Sequence, residues 1–227
     1  LKPFKKSHKK VIGIDPASNI SKTANENGIF TINNFFNKQL AQDLVREEKN
    51  IDLIFARNVI PHVKEIHSII DGISILSSNE TTVAIEFHYS GTIIEELHYD
   101  SIYHEHLFYF TISTIGNLFK SYGLYFFDIF KSPISGGSVI LLFSKRQREL
   151  SDELKKFTHK ENIKGFNKLE TWQSFAAKSK MHSLKFREAV FKLSKDKKLL
   201  GYGASARSST LASTFFSASF ILSSTSS

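Results

Sequence analysis

The feature that most restricts how this chain can fold is an alternation of short apolar runs with stretches of helical periodicity. Val11-Ile12-Gly13-Ile14-Asp15 reads as a buried strand ending in an acid. A helix over Ser18–Asn27 follows, with Ser18 as its cap and Gly28 as its terminator. Gly28–Ile32 reads as a second strand, Leu40–Glu48 as a second helix and Ile51–Ala56 as a third strand. After Pro61 an apolar-periodic helix runs to about Ile75, and Thr82–Phe87 is a fourth strand. Strands separated by helices predict an α/β fold, a doubly wound and mostly parallel sheet. The rhythm then changes. An amphipathic helix over Ser113–Tyr122, closed by Gly123, precedes the apolar runs Leu124–Phe130 and Ser138–Phe143. No helix separates these two, only the turn-rich Lys131–Gly137, so they are expected to pair antiparallel.

The boundaries that follow are 1–144 for the sheet-bearing core, 145–195 for a charged helical connector and 196–227 for the start of a further unit. In the connector Trp172, Phe175, Phe186, Val190 and Leu193 are candidate packing positions. Leu199-Leu200 running into Gly201-Tyr202-Gly203-Ala204 reads as a new strand and a glycine-rich turn, whereas Ser213–Ser227 carries no clear element.

Composition removes several classes. With no Cys among 227 residues, this segment holds no disulfide, no zinc–thiolate site and no cysteine nucleophile. No run reaches the roughly 18 apolar residues of a membrane helix, so no membrane partner is expected. The opening Leu1-Lys2-Pro3-Phe4-Lys5-Lys6 lacks a signal-peptide core, and a cytoplasmic protein is the expectation. The net charge of +8 gathers near the two ends, at Lys2–Lys10 and Lys192–Lys198. No helix has a dense basic stripe with interleaved aromatics, so a solvated face is favoured over nucleic acid. A mildly positive field also suits an anionic small molecule.

Ligands of open α/β sheets bind at the carboxyl ends of the strands. Asp15 ends the first strand, where a carboxylate can accept both hydroxyls of a ribose or simply cap the next helix. Phe35 and Phe36 follow the second strand; a ring there can stack on adenine, though core packing is commoner for such a pair. Ala56–Val63, which includes Asn58, follows the third and would run beneath a cofactor bound there. Tyr103-His104-Glu105-His106 lies beyond the fourth, and histidine is the usual side chain for removing a proton near neutral pH. On a strand, His-x-His puts two rings on one face and can build a metal site; Glu105 would point away from it, and no metal is expected. A histidine satisfied by a backbone carbonyl is the third reading of this segment.

Several spaced motifs together resemble the sugar C-methyltransferases. They are Val-Ile-Gly-Ile-Asp-Pro at 11–16, Asp-Leu-Ile-Phe-Ala-Arg-Asn-Val-Ile-Pro-His-Val at 52–63 and Tyr103–Phe110. Gly-Gly-Ser at 136–138 and Gly-Tyr-Gly-Ala-Ser-Ala-Arg at 201–207 complete the set. The resemblance implies a Rossmann-like class I methyltransferase sheet and the start of a second Rossmann-like half from Gly201. It implies methyl transfer from S-adenosylmethionine to a ring carbon of a nucleotide-linked deoxy-keto sugar through a base-generated enolate. His106 then maps to the base, with Tyr103 and Glu105 orienting it or the sugar. Asp15, Phe35 and Asn58 are assigned to the methyl donor. Glu86, Tyr89, Gly136, Gly137, Ser138, Gly203 and Arg207 are assigned to the substrate, the last two as a phosphate cradle and a bidentate partner. The family's glycine-rich donor loop and its zinc-binding domain fall upstream of Leu1, so zinc is expected only there, and weak donor binding is expected of residues 1–227 alone. Ser135 and Ile140 depart from the family's usual His and Arg. The alternatives are a class I methyltransferase for another small molecule and a non-catalytic nucleotide-sugar-binding module.

Overall fold

The computed structural model describes residues 1–7, 10–48, 50–195, 197–200 and 205–215, without the side chains of Ser135, Thr214 and Phe215. Gly203 and the rest of the predicted 201–204 turn lie outside the described residues. Along the chain run α1 (Lys2–Lys6), β1 (Gly13–Ile14), α2 (Ser18–Glu26), β2 (Thr31–Ile32), α3 (Lys38–Glu47) and β3 (Leu53–Arg57). Then come α4 (Ile66–Leu76), β4 (Thr82–His88), α5 (Ser90–Glu95), α6 (Ile112–Lys120), β5 (Tyr125–Ser132) and β6 (Ser138–Ser144). The long helices α7 (Asp152–Lys164) and α8 (Leu169–Ser194) and the short α9 (Ala206–Phe215) complete it. No helix among the described residues is long and apolar enough to cross a membrane.

The fold is α/β and Rossmann-like, and the two runs without a helix between them form the expected antiparallel pair. Lys131 faces Val139 and Ser132 faces Ser138 across β5 and β6. β6 then pairs antiparallel with β4, and β4 pairs parallel with β3, giving the order β3-β4-β6-β5. One expectation is corrected. Among the described residues β1 and β2 form a separate parallel ladder of two residues each, so the sheet is not continuous and its larger part is mixed rather than mostly parallel. Leu53 and Phe55 on β3 accordingly remain 40% and 41% exposed, as on an unpaired edge. The ladders share an apolar layer instead: Ala41 and Leu44 of α3 and Leu76 of α4 pack with Ile14, Ile32 and Ile54.

β4 is buried along almost its whole length, as expected of a run covered on both faces. Its Phe87 lies in the main core with Phe119 and Phe143, the latter two stacked at 4.3 Å. Truncating either stacked ring to Ala removes buried contacts worth about 3–5 kcal/mol.

Local chemistry accounts for smaller departures. The N-cap of α2 is Ala17 rather than Ser18, because Asp15 Oδ1 already accepts the Ala17 N–H at 2.8 Å. α5, absent from the sequence reading, begins where Ser90 N donates to the Phe110 carbonyl at 2.9 Å. In α8, Phe175 is buried, whereas Phe186 and Leu193 are 40% and 50% exposed. Lys198–Leu200 is irregular rather than a strand.

Candidate active site

Tyr103–His106 is a turn rather than a strand, which removes the premise of the His-x-His metal reading. The His106 N–H donates to the Tyr103 carbonyl at 3.1 Å, closing the turn, and His104 points outward, exposed. The following segment ties back on it. Tyr109 hydroxyl accepts the Tyr103 N–H at 3.2 Å and donates to the Ser101 carbonyl at 3.3 Å.

That arrangement fixes the tautomer of His106. Its Nδ1 lies 3.2 Å from the Ser101 carbonyl oxygen, and a carbonyl only accepts, so Nδ1 carries the proton. In the neutral ring Nε2 therefore holds the lone pair, and the Tyr103 hydroxyl stands 3.5 Å from it. Burial holds the His106 pKa below its ordinary 6.5, with His62 adding to the depression and Ser101 and Glu105 opposing it. The ring is thus neutral and basic at pH 7.

His62 is the residue that the sequence reading placed nearby without giving it a role. It sits in the one-turn 3-10 helix after β3, 4.6 Å from His106 between ring centroids, and its Nδ1–H donates to the Glu105 carbonyl at 2.8 Å. Glu105 thus acts here through its backbone, while its side chain is exposed. The available signal was the position of His62 in the run after β3, on the ligand side of the sheet.

These groups line a cavity of about 150 Å³ with Asn58, Pro61, His88, Ser101, Phe108, Tyr109 and Arg207. Asn58 adopts φ 50, a left-handed backbone rare outside glycine, and its N–H donates to the Glu86 carbonyl at 2.9 Å. His88, only 7% exposed, is held down to a pKa of about 4 by burial first and then by the charges of His98 and Arg207. Arg207 reaches the cavity from α9 and forks onto Asp100, Nε to Oδ2 at 2.8 Å and Nη2 to Oδ1 at 3.0 Å.

The other predicted residues fall elsewhere. Glu86 is 2% exposed, accepting from Ser132 Oγ at 2.7 Å and pairing with Arg57 Nε at 2.9 Å, so its carboxylate is committed to the sheet. Tyr89 is 3% exposed and its hydroxyl donates to Glu161 at 3.0 Å. Tyr89, Gly136, Gly137 and Ser138 line a second, open groove of about 690 Å³. Gly137, at φ 141, is a position where a Cβ would collide with Thr92. His98 stands between a lining residue of each cavity: its Nδ1 is 3.5 Å from His88 Nε2, and its Cε1 would lie 3.4 Å from a Cβ at Gly136.

At the smaller ladder, Asp15 directly follows β1 and Phe35 lies three residues beyond β2. The Asp15 N–H donates to the Ile32 carbonyl at 3.1 Å, and Phe35, 71% exposed, leaves its ring uncovered while Phe36 packs inward. A carboxylate therefore stands just beyond β1 and an uncovered ring beyond β2, both on the side where ligands of such sheets bind. Asp15 does not cap α2, whose N-cap is Ala17; its Oδ1 accepts the Ala17 N–H in the turn before the helix, so one oxygen serves the turn.

Residues 1–127 match the family model described as a methyltransferase domain, and residues 133–220 match the C-methyltransferase C-terminal domain. The chain is 27% identical over 214 residues to the C-methyltransferase NovU of Streptomyces niveus, a match covering 93% of this chain and 51% of that protein. It thus spans about half the length of this curated relative. Among solved structures it is similar to a Pyrococcus horikoshii OT3 protein, with 12% identity, TM-score 0.47 and coverage of 64% of this chain and 76% of that one. It is also similar to the magnesium protoporphyrin IX methyltransferase of Synechocystis PCC 6803, with 13% identity, TM-score 0.46 and coverage of 62% and 66%. The C-methyltransferase C-terminal match takes up most of what the methyltransferase-domain match leaves, and the latter extends over more than half of the chain: the chain belongs to the methyltransferase-domain family.

Proposed function

We propose that the chain carries the donor-binding and proton-abstracting residues of an S-adenosylmethionine-dependent C-methyltransferase whose acceptor is a ring carbon of a nucleotide-linked keto sugar. Residues 1–144 are the methyltransferase core, 145–195 the helical connector and 196–227 the start of a second Rossmann-like half. The enzyme works in the cytoplasm. The observation that carries this reading is the tautomer of His106, whose Nδ1–H is held by the Ser101 carbonyl so that Nε2 is left as the base in a small polar cavity.

Carbon methylation begins with loss of a proton beside the sugar's carbonyl. His106 Nε2 takes that proton, and the C–H electron pair moves into a C=C bond as the carbonyl oxygen becomes an oxyanion. Bound S-adenosylmethionine supplies an electrophilic sulfonium methyl group. Asp15 and Phe35 hold its ribose and adenine, Tyr103 hydroxyl orients the base, and Asn58 closes the wall between donor and acceptor. The groove lined by Gly136–Ser138 extends the acceptor site for the nucleotide portion, and the net charge of +8 favours approach of a diphosphate. A nitrogen or oxygen acceptor would not require a base placed beside carbon.

The test is mass spectrometry of nucleotide-sugar pools from cells with and without the intact gene. The reading expects one nucleotide sugar to gain a single methyl group, with fragmentation placing it on carbon. A methyl found on nitrogen or oxygen, or unchanged pools, overturns it.

A further inference from the structure

Abstraction of the proton creates a second requirement that His106 cannot meet. Negative charge develops on the carbonyl oxygen as the C–H bond breaks, and an enolate in a half-buried cavity needs a fixed donor or cation beside that oxygen. Among the described lining residues Asn58, Pro61, His62, His88, Ser101, Tyr103, His106, Phe108, Tyr109 and Arg207, the arginine is the one that is cationic throughout the working pH range. His88 is held neutral by burial, and His106 is the base itself.

We propose that Arg207 polarises the acceptor's carbonyl and stabilises the enolate oxyanion, and that Asp100 is the positioning residue that aims its guanidinium into the cavity. This rests on the keto-sugar reading above and replaces a phosphate contact as the role of Arg207. The geometry is specific. α9 delivers Arg207 against the 3-10 turn Tyr99–Ser101, and the side-on fork onto Asp100 at 2.8 and 3.0 Å fixes the plane of the guanidinium. The next residue along that turn is Ser101, whose carbonyl sets the His106 tautomer. One turn therefore orients both the base and the cation.

The electron flow closes without another reactant. His106 Nε2 gains the proton, the C–H pair forms the C=C bond, and the former C=O π pair rests on oxygen beside Arg207. When the enolate carbon bonds the methyl group, the carbonyl re-forms and the carbon–sulfur pair leaves with sulfur, yielding a thioether.

The experiment follows solvent deuterium entering the carbon beside the carbonyl of a nucleotide-linked keto sugar, with methyl transfer measured in parallel, in the protein expressed from its intact gene. Arg207→Gln is expected to slow both about 10²–10³-fold, with KM for the nucleotide sugar changed less than threefold. Asp100→Asn is expected to lose less, and the double variant to be no slower than Arg207→Gln alone, because Asp100 acts through the arginine. The acid limb of the rate should move to higher pH in Arg207→Gln, since a cation acting on His106 alongside His62, His88, Glu105 and Tyr103 has gone; misfolding would not produce that shift. If Arg207→Gln loses its fold, Arg207→Lys and Arg207→Ala with added methylguanidinium must recover exchange. A raised KM with unchanged kcat would assign Arg207 to phosphate, and additive losses would remove the positioning role of Asp100. Either outcome overturns the proposal while leaving the function intact. No exchange in the unmodified protein would overturn the function itself.

Discussion

His106 owes its chemistry to one backbone carbonyl and two neighbouring rings, and each can be removed separately. His106→Ala should lower kcat by about 10²–10⁴-fold while sugar binding changes little. Glu105→Gln should lose much less, because the contact that this residue makes is its carbonyl to His62. His104→Ala, exposed on the far side of the turn, should be near neutral; a loss equal to that of His106→Ala would return the segment to the metal reading. The pH profile offers a second prediction. Burial and then His62 push the His106 pKa down, so the acid limb of kcat/KM should fall below 6.5 in the unmodified protein. Removing the second cause in His62→Asn lets the pKa rise, and the limb should move to higher pH. A limb that stays in place, measured with the same substrate, would show that His62 does not act on the base. Of the residues in this cavity, Tyr103, His106 and Asn58 were legible in the sequence as motif positions at strand ends. His62 and His88 were not singled out, because a lone histidine beside an apolar run is usually core, and only tertiary packing turns these rings toward His106.

At the level of elements, the strands were readable wherever burial on both faces demanded an unbroken apolar run, as in Thr82–Phe87 and Ser138–Phe143. The connector was less so, since α7 reads as a charged, solvated helix: its sequence is DELKKFTHKENIK. Its Glu161 is nevertheless 1% exposed and caps α6 from a distance, accepting Ile112 N–H at 2.8 Å, Ser113 N–H at 2.9 Å, the Ser113 hydroxyl and the Tyr89 hydroxyl. Its carboxylate also lies at the positive end of the α6 dipole. Little local to α7 announces this, because these four donors lie 48 to 72 residues earlier in the chain. The same bond commits the Tyr89 hydroxyl to the fold. Glu161→Leu would leave two helical N–H groups and a phenol without partners, and roughly 2–5 kcal/mol of stability should be lost. Glu161→Gln, which keeps an acceptor, should lose about half as much. Urea unfolding that found Glu161→Leu within 1 kcal/mol of the unmodified protein would show that water replaces the cap.

For the molecule as a whole, the candidate cavity is assembled from the turn after β3, the end of β4, the 101–109 segment and α9, so the titration of its side chains is coupled to global stability. His88 is the main point of coupling. Its pKa falls from 6.5 to about 4 in the folded state, through burial first, then through the charges of His98, Arg207 and His106, with Asp100 opposing. In the unfolded chain the ring titrates near its ordinary value. Between about pH 4 and 6.5 the unfolded state therefore binds the extra proton, and linkage requires stability to rise with pH across that window. The contribution is fully present above pH 6.5 and is lost as the pH falls toward 4. A shift of that size corresponds to about 3 kcal/mol over the whole window. Carboxylates elsewhere add their own acid sensitivity, so the informative quantity is the difference from a variant that cannot titrate there. His88→Gln should be less stable than the unmodified protein at pH 7, where it loses good packing, yet its stability should decline less on acidification to pH 4.5. Urea unfolding at half-unit intervals measures both curves. Convergence of the two toward acid is the expected outcome, whereas parallel curves would mean that His88 takes up its proton in the folded state without penalty and that the cavity is wetter than its burial implies.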